Sequence, residues 1–146
     1  MDIGKTLKFI RVENGAVAGT SDLTSDYVDT QGYDGVLFLT SFGTITSGAV
    51  TSVKARQDTA SNGATAEDLA GSAVTVADDD SNQVVVHDIY RPRERYVAIV
   101  VDRATQNAVL DGIVAILYHG TKAPVTNDAT TIVALKTLIS PAEGTA

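Results

Sequence analysis

Cysteine and tryptophan are both missing from the 146 residues, and only two histidines and one methionine are present. Without cysteine there can be no disulfide, no thiolate metal site and no cysteine nucleophile, and the chain suits a reducing compartment. Long apolar runs are missing too. The longest, residues 96–101 and 113–118, have six residues each, whereas a membrane-spanning helix needs about 20. Lys5, Lys8 and Arg11 interrupt the first stretch, so no secretory hydrophobic region is expected. Positive charge is scarce: 11 Lys and Arg face 18 Asp and Glu, for a net charge of −7 and a pI near 4.6. Non-specific binding to nucleic acid rests on cations that neutralise phosphates, so neither nucleic acid nor a membrane is an expected partner.

What is abundant is β-branched. Val, Ile and Thr number 18, 9 and 18, against nine Leu and four Glu. That balance suits a pleated, half-buried surface rather than helices. Twelve glycines and nine serines fall mostly between the apolar runs, as turn residues should. No repeat and no linker divides the chain, so residues 1–146 read as one domain.

Along the chain, residues 6–13 read as a first strand, followed by an Asn14-Gly15 turn. Tyr27 and Val28 can start a short strand. Residues 35–42 carry apolar side chains on both faces, with Val36, Phe38 and Phe42 on one and Leu37 and Leu39 on the other. That predicts a central strand covered on both sides. Residues 50–56 alternate, with Val53 and Ala55 opposite Ser52, Lys54 and Arg56, so one face meets water. Thr65 is a candidate cap for one helical turn, with Glu67 and Asp68 at its positive end. Strands are expected at 72–77, 84–90, 95–102 and 110–119, with a corner at Pro92. From Asp128 the chain fits a helix through Ile132, Leu135 and Leu138, or a strand through Thr131, Val133, Leu135 and Ile139; a strand or extended arm is the preferred expectation. Eight or so short strands at regular spacing predict an all-β sandwich or jelly-roll-like domain with extended terminal arms.

Catalytic signatures are sparse. There is no Gly-x-Ser-x-Gly elbow. Asp78, Asp80 and Asn82 have the first spacings of a calcium loop, but Gln83 and Ile89 occupy the positions that need Gly and Glu. A solvated acidic turn is the expected reading. His87 and His119 sit on expected strands among apolar residues, which suits core or interface histidines. No cofactor, no metal and no catalytic residue is therefore expected. The most unusual local feature is basic: Arg91, Arg93, Arg95 and Arg103 are four of the six arginines. On an extended backbone the first three would point to one side, and guanidinium forks bind carboxylates bidentately. These four are the candidate protein interface. The competing reading pairs them within the chain, with Asp88, Asp102 or Asp111.

Several stretches carry a resemblance. They are Asp29-Thr30-Gln31-Gly32-Tyr33-Asp34-Gly35-Val36, Phe42-Gly43-Thr44-Ile45-Thr46, Asp88-Ile89-Tyr90-Arg91-Pro92-Arg93-Glu94-Arg95-Tyr96-Val97 and Asp102-Arg103-Ala104-Thr105-Gln106-Asn107, which leads to Ala115-Ile116-Leu117-Tyr118. Pro141-Ala142-Glu143-Gly144-Thr145-Ala146 at the end fits as well. In order, over roughly residues 5–146, they resemble the capsid decoration (cement) proteins of tailed bacteriophages. The resemblance implies a β-sandwich or jelly roll that binds the major capsid protein on the outside of the phage head as a dimer or trimer, reinforcing the shell. It implies a virion location after assembly in the host cytoplasm, and no enzymatic activity. The alternatives are another virion position, in a tail tube or head–tail connector, and a carbohydrate- or receptor-binding β-sandwich module.

Overall fold

The structure is a computed structural model that describes residues 2–140 and 142–145; Met1, Pro141 and Ala146, which the single-domain reading includes, lie outside the described residues. A short 3-10 turn at Ile3–Lys5 leads into eleven strands: β1 (Lys8–Glu13), β2 (Ala16–Gly19), β3 (Leu23–Thr24), β4 (Val28–Asp29), β5 (Gly35–Ile45), β6 (Val50–Asp58), β7 (Glu67–Asp68), β8 (Val74–Val76), β9 (Val84–Tyr90), β10 (Tyr96–Ala104) and β11 (Ala108–Tyr118). They form two antiparallel sheets. In the first the order is β1-β11-β5-β9, with β2 beside β1 on β11. In the second it is β3-β10-β6-β7, with β4 extending the β3 edge and β8 the β7 edge. Taking β1/β2, β3/β4 and β7/β8 as one position each gives eight positions, first beside last, wound as the two Greek keys of a jelly roll. The expected all-β sandwich is what the chain adopts.

Alternation builds the core. Val36, Phe38, Thr40 and Phe42 of β5 face Val53 and Ala55 of β6 and Val97, Ile99 and Val101 of β10, all buried. In β11, burial steps from Leu110 to Ile113 and then runs on through Ala115 and Leu117. That three-residue step is a β-bulge, where the register against β5 shifts between Leu110 and Gly112. Gly112 takes φ 141 there, a conformation a side chain would oppose. Gly35 is needed for a different reason. The Tyr118 ring of β11 lies over it, in the space a Cβ would occupy.

One local expectation is corrected. Thr65 does not cap a helical turn; its backbone N–H and hydroxyl both donate to Asp58. Asp58 is buried and also accepts the Ala60 N–H, so its carboxylate organises the loop after β6. After Asp128 the described residues hold neither helix nor strand, so of the expected strand or extended arm it is the arm that is present. Asp128 accepts the Thr130 N–H and closes one turn to Ile132, and the chain continues as an extended arm. The arm's root is tied to the body: Val125 N–H donates to Lys5 C=O, and Asn127 Oδ1 accepts the Phe9 N–H. The start of β1 and the root of the arm therefore lie at the end of the sandwich that carries the 29–35 and 90–96 loops.

Candidate functional site

The four candidate arginines do not form one stripe. Arg91 takes φ 50, which turns residues 91–95 into a bend and breaks the alternation that an extended stripe needs. Arg95 forms a bidentate ion pair with Asp29, at 2.8 and 2.7 Å. That hydrogen-bonded pair holds the Asp29 carboxyl below its ordinary value. The partner is none of the three aspartates suggested by sequence proximity. Tyr96 is simply registered opposite Asp29 in the β10–β4 pairing. Asp88 instead accepts the Tyr118 hydroxyl, and Asp102 lies beside Lys54 and Ser52. Arg91 sits 5.2 Å from the Tyr90 ring centroid. Arg91 and Arg93 are exposed and have no carboxylate partner among the described residues.

Arg103 lies elsewhere, about 26 Å along β10 from Arg95. It is buried at 5% exposure. Its Nε donates to Ser21 C=O at 2.7 Å, and its Nη1 to Ala108 C=O at 2.7 Å and Val17 C=O at 3.1 Å. It ties β2, the loop before β3 and the start of β11 together inside the fold. The signal for this was in the sequence: Arg103 is in phase with Val97, Ile99 and Val101, which all point inward.

The surface feature that stands out is the outer face of the first sheet. Outer faces of antiparallel sheets are ordinarily polar, and that of the second sheet is. There Lys54 and Arg56 hold Asp68 at 2.9 and 3.0 Å. On the first sheet two rows cross the strands in register, Arg11–Val114–Leu39–Val86 and Phe9–Ile116–Leu37–Asp88. Six of these eight side chains are apolar and none is fully buried. A groove of about 840 Å³ opens at the end of this face near the termini, lined by Leu7, Leu37, Tyr90, Tyr118, His119 and Ala123. Tyr118 donates to Asp88 Oδ1 at 2.5 Å. Burial, then the bond to Asp88, push its ionisation well above the ordinary tyrosine value, so it remains a donor. His119 Nδ1 is 3.6 Å from Asp34 Oδ2 at the rim.

The arm adds to this surface. A second hollow, about 1190 Å³, lies between Leu135, Leu138 and Ile139 of the arm and Ile3 and Phe9 of the body. Val133 and Ile139 are fully exposed to solvent. Tyr90, though it ends a strand, is 56% exposed. Leu37, Tyr90 and Tyr118 of the groove come from separate strands, β5, β9 and β11, and the sheet order brings them together.

The remaining candidates have structural roles. His87 Nε2–H donates to Ser72 C=O at 2.7 Å, joining β9 to the loop before β8. Asp78 accepts the Gly48 N–H and Asp80 the Ala77 N–H, which locks the acidic turn. No group of three or more His, Asp or Glu that could hold a metal occurs among the described residues, and no helix there is long and apolar enough to cross a membrane.

Fold and surface together define a class: an antiparallel jelly roll with one polar outer face, one apolar outer face and an arm rich in uncovered apolar side chains. Compared with known proteins, the chain matches no family model and no curated sequence.

Proposed function

We propose that this chain is a structural virion protein that binds the outside of a phage head and stabilises the shell of the major capsid protein. The observation that carries the proposal is the apolar outer face of the first sheet, continued by an arm whose Val133, Leu138 and Ile139 are largely uncovered. Apolar surface of this extent on a water-facing sheet marks a protein contact. The resemblance to decoration proteins supplies the partner. Many modest contacts, repeated by a homo-oligomer on a symmetric shell, hold by avidity rather than by one deep pocket.

The test is co-sedimentation of the purified chain with heads assembled without it. The intact chain is expected to pellet with the heads. Leu39→Lys on the outer face, or deletion of residues 129–146, is expected to leave most of the chain in the supernatant while circular dichroism stays that of a folded β protein. Undiminished binding of both folded variants would contradict the proposal. The groove supports a second reading, a carbohydrate-binding module, because Tyr90 and Tyr118 flank the Asp88 carboxylate there. A glycan array that yields a ligand competing with head binding would favour it.

A further inference from the structure

A sheet edge with free main-chain groups is a template for another strand, and folded proteins ordinarily shorten, bulge or cover such edges. Three of the four edges here are managed in that way. On the second sheet the edge strands have two or three residues each. On the first sheet β1 carries a register shift at Arg11/Glu13, its Phe9 N–H is taken by Asn127, and its Val12 C=O accepts the Asp26 N–H. The fourth edge, β9, is seven residues long and has no proline, no lysine and no bulge against β5.

The free groups of β9 can be assigned. Gln83 C=O accepts the Phe42 N–H, and Arg91 N–H donates to Asp34 C=O, so odd-numbered residues turn their main-chain groups toward β5. Main-chain groups alternate sides along a strand. Those of Val84, Val86, Asp88 and Tyr90 therefore face outward, and no main-chain or side-chain hydrogen bond reaches them among the described residues. The side chains of the same residues lie on the apolar outer face, with Val84, Val86 and Tyr90 at 51, 54 and 56% exposure.

We propose that β9 is a self-association edge, at which two copies of this chain pair antiparallel about a two-fold axis at His87. Full overlap of the seven residues sets Val84 opposite Tyr90 and Val86 opposite Asp88, each twice. The choice of a second copy as occupant rests on charge. One end of β9 is preceded by the acidic turn Asp78, Asp79 and Asp80; the other is followed by Arg91 and Arg93, which lack carboxylate partners within the described chain. Antiparallel pairing brings the acidic turn of each copy beside the arginines of the other, so attraction acts at both ends. Parallel pairing would set like against like. The dimer joins two four-position sheets into one and makes the two apolar outer faces continuous. This gives a contact for the homo-oligomer that the shell-binding proposal invokes, and it is read in solution, without heads, so its failure is distinguishable from a failure to bind the shell.

The test uses the full chain in sedimentation equilibrium. A dimer is expected, and Val86→Pro, which removes one outward N–H per copy without touching the bonds to β5, is expected to raise its dissociation constant about tenfold or more. Arg93→Glu, an exposed change at a residue with no carboxylate partner among the described residues, is expected to weaken the dimer as well, and adding Asp79→Lys to restore it. Because the chain has no cysteine, Val84→Cys with Tyr90→Cys reports the register: oxidation should give a covalent dimer, and neither single variant should. A chain that stays monomeric at all concentrations would overturn the proposal. So would a dimer indifferent to both Val86→Pro and Arg93→Glu that does not cross-link.

Discussion

Replacing Arg103 with methionine isolates the role of its buried guanidinium, because the stem volume is kept and the donors are lost. Three backbone carbonyls, Val17, Ser21 and Ala108, then lose their partner at one end of the sandwich. Orphaning a buried acceptor costs about 1 kcal/mol each at the low end, for about 3 kcal/mol in all. Charge assistance would raise that figure. Relief of the cost of burying a guanidinium that forms no ion pair among the described residues lowers it, so about 3 kcal/mol is the net expectation. For a domain of this size, each kcal/mol moves Tm by about 2–4 °C, which gives a fall of about 6–12 °C by calorimetry. The loss should be local first. β2 is a four-residue strand registered against β11 at two pairs, Gly19↔Ala108 and Leu110↔Ala16, so amide exchange at 16–19 should accelerate before the rest. Arg103→Lys should fall between the two, since an ammonium cannot reproduce the fork. A methionine variant that melts within about 2 °C of the parent, with 16–19 still protected, would refute the internal role of Arg103.

Four other outcomes follow from the packing and the charges. Phe38→Ala empties a fully buried site at the centre of the core and should cost about 3–5 kcal/mol in chemical denaturation. Gly35→Ala should destabilise by about 1–3 kcal/mol by displacing the Tyr118 ring, and Gly35→Ala combined with Tyr118→Ala should recover part of that loss. The carboxyls of Asp29, Asp58 and Asp68 are all held below their ordinary value, by Arg95, by the Ala60 N–H with Thr65, and by Lys54. A folded-state value below the unfolded one gives stability that is complete above the unfolded value of about 3.9 and is lost as pH falls from there through the lower folded value, so Tm should be flat near neutrality and fall below about pH 4. Asp58→Asn should remove part of that acid sensitivity and loosen the loop at 59–66, seen as faster proteolysis there; an unchanged acid limb would count against the assignment.

The long strands were legible because alternation over six or more residues cannot be mistaken for another pattern. β5 does lie centrally, between β11 and β9, but the cover expected on both faces is present only on the inner one, and Leu37 and Leu39 on the outer face are half-buried. Strands β3, β4 and β7 have two residues each, too few to show a period. The β11 bulge was hidden for a related reason: the step from Leu110 to Ile113 mimics a helical spacing unless the extra residue is known. Arg93 and Arg95 looked equivalent on paper. They differ because a positive φ at Arg91 turns the chain and the β4–β10 register delivers Asp29 to Arg95 alone. Apolar side chains on both faces of residues 35–42 predict two covering layers, so the pattern alone does not single out Leu37 and Leu39 as an outer face. Their cover would have to come from another layer, and the described chain provides only the arm near Phe9. The acidic turn and the arginine corner, unrelated in sequence, become complementary once β9 is seen as the bare edge between them.

The central claim, a structural role on the outside of a phage head, is tested most directly by counting. Quantitative mass spectrometry of purified virions should find this chain at hundreds of copies, in a simple ratio to the major capsid protein. A dozen or a few dozen copies would move it to a connector or tail, and its absence from virions would contradict the account.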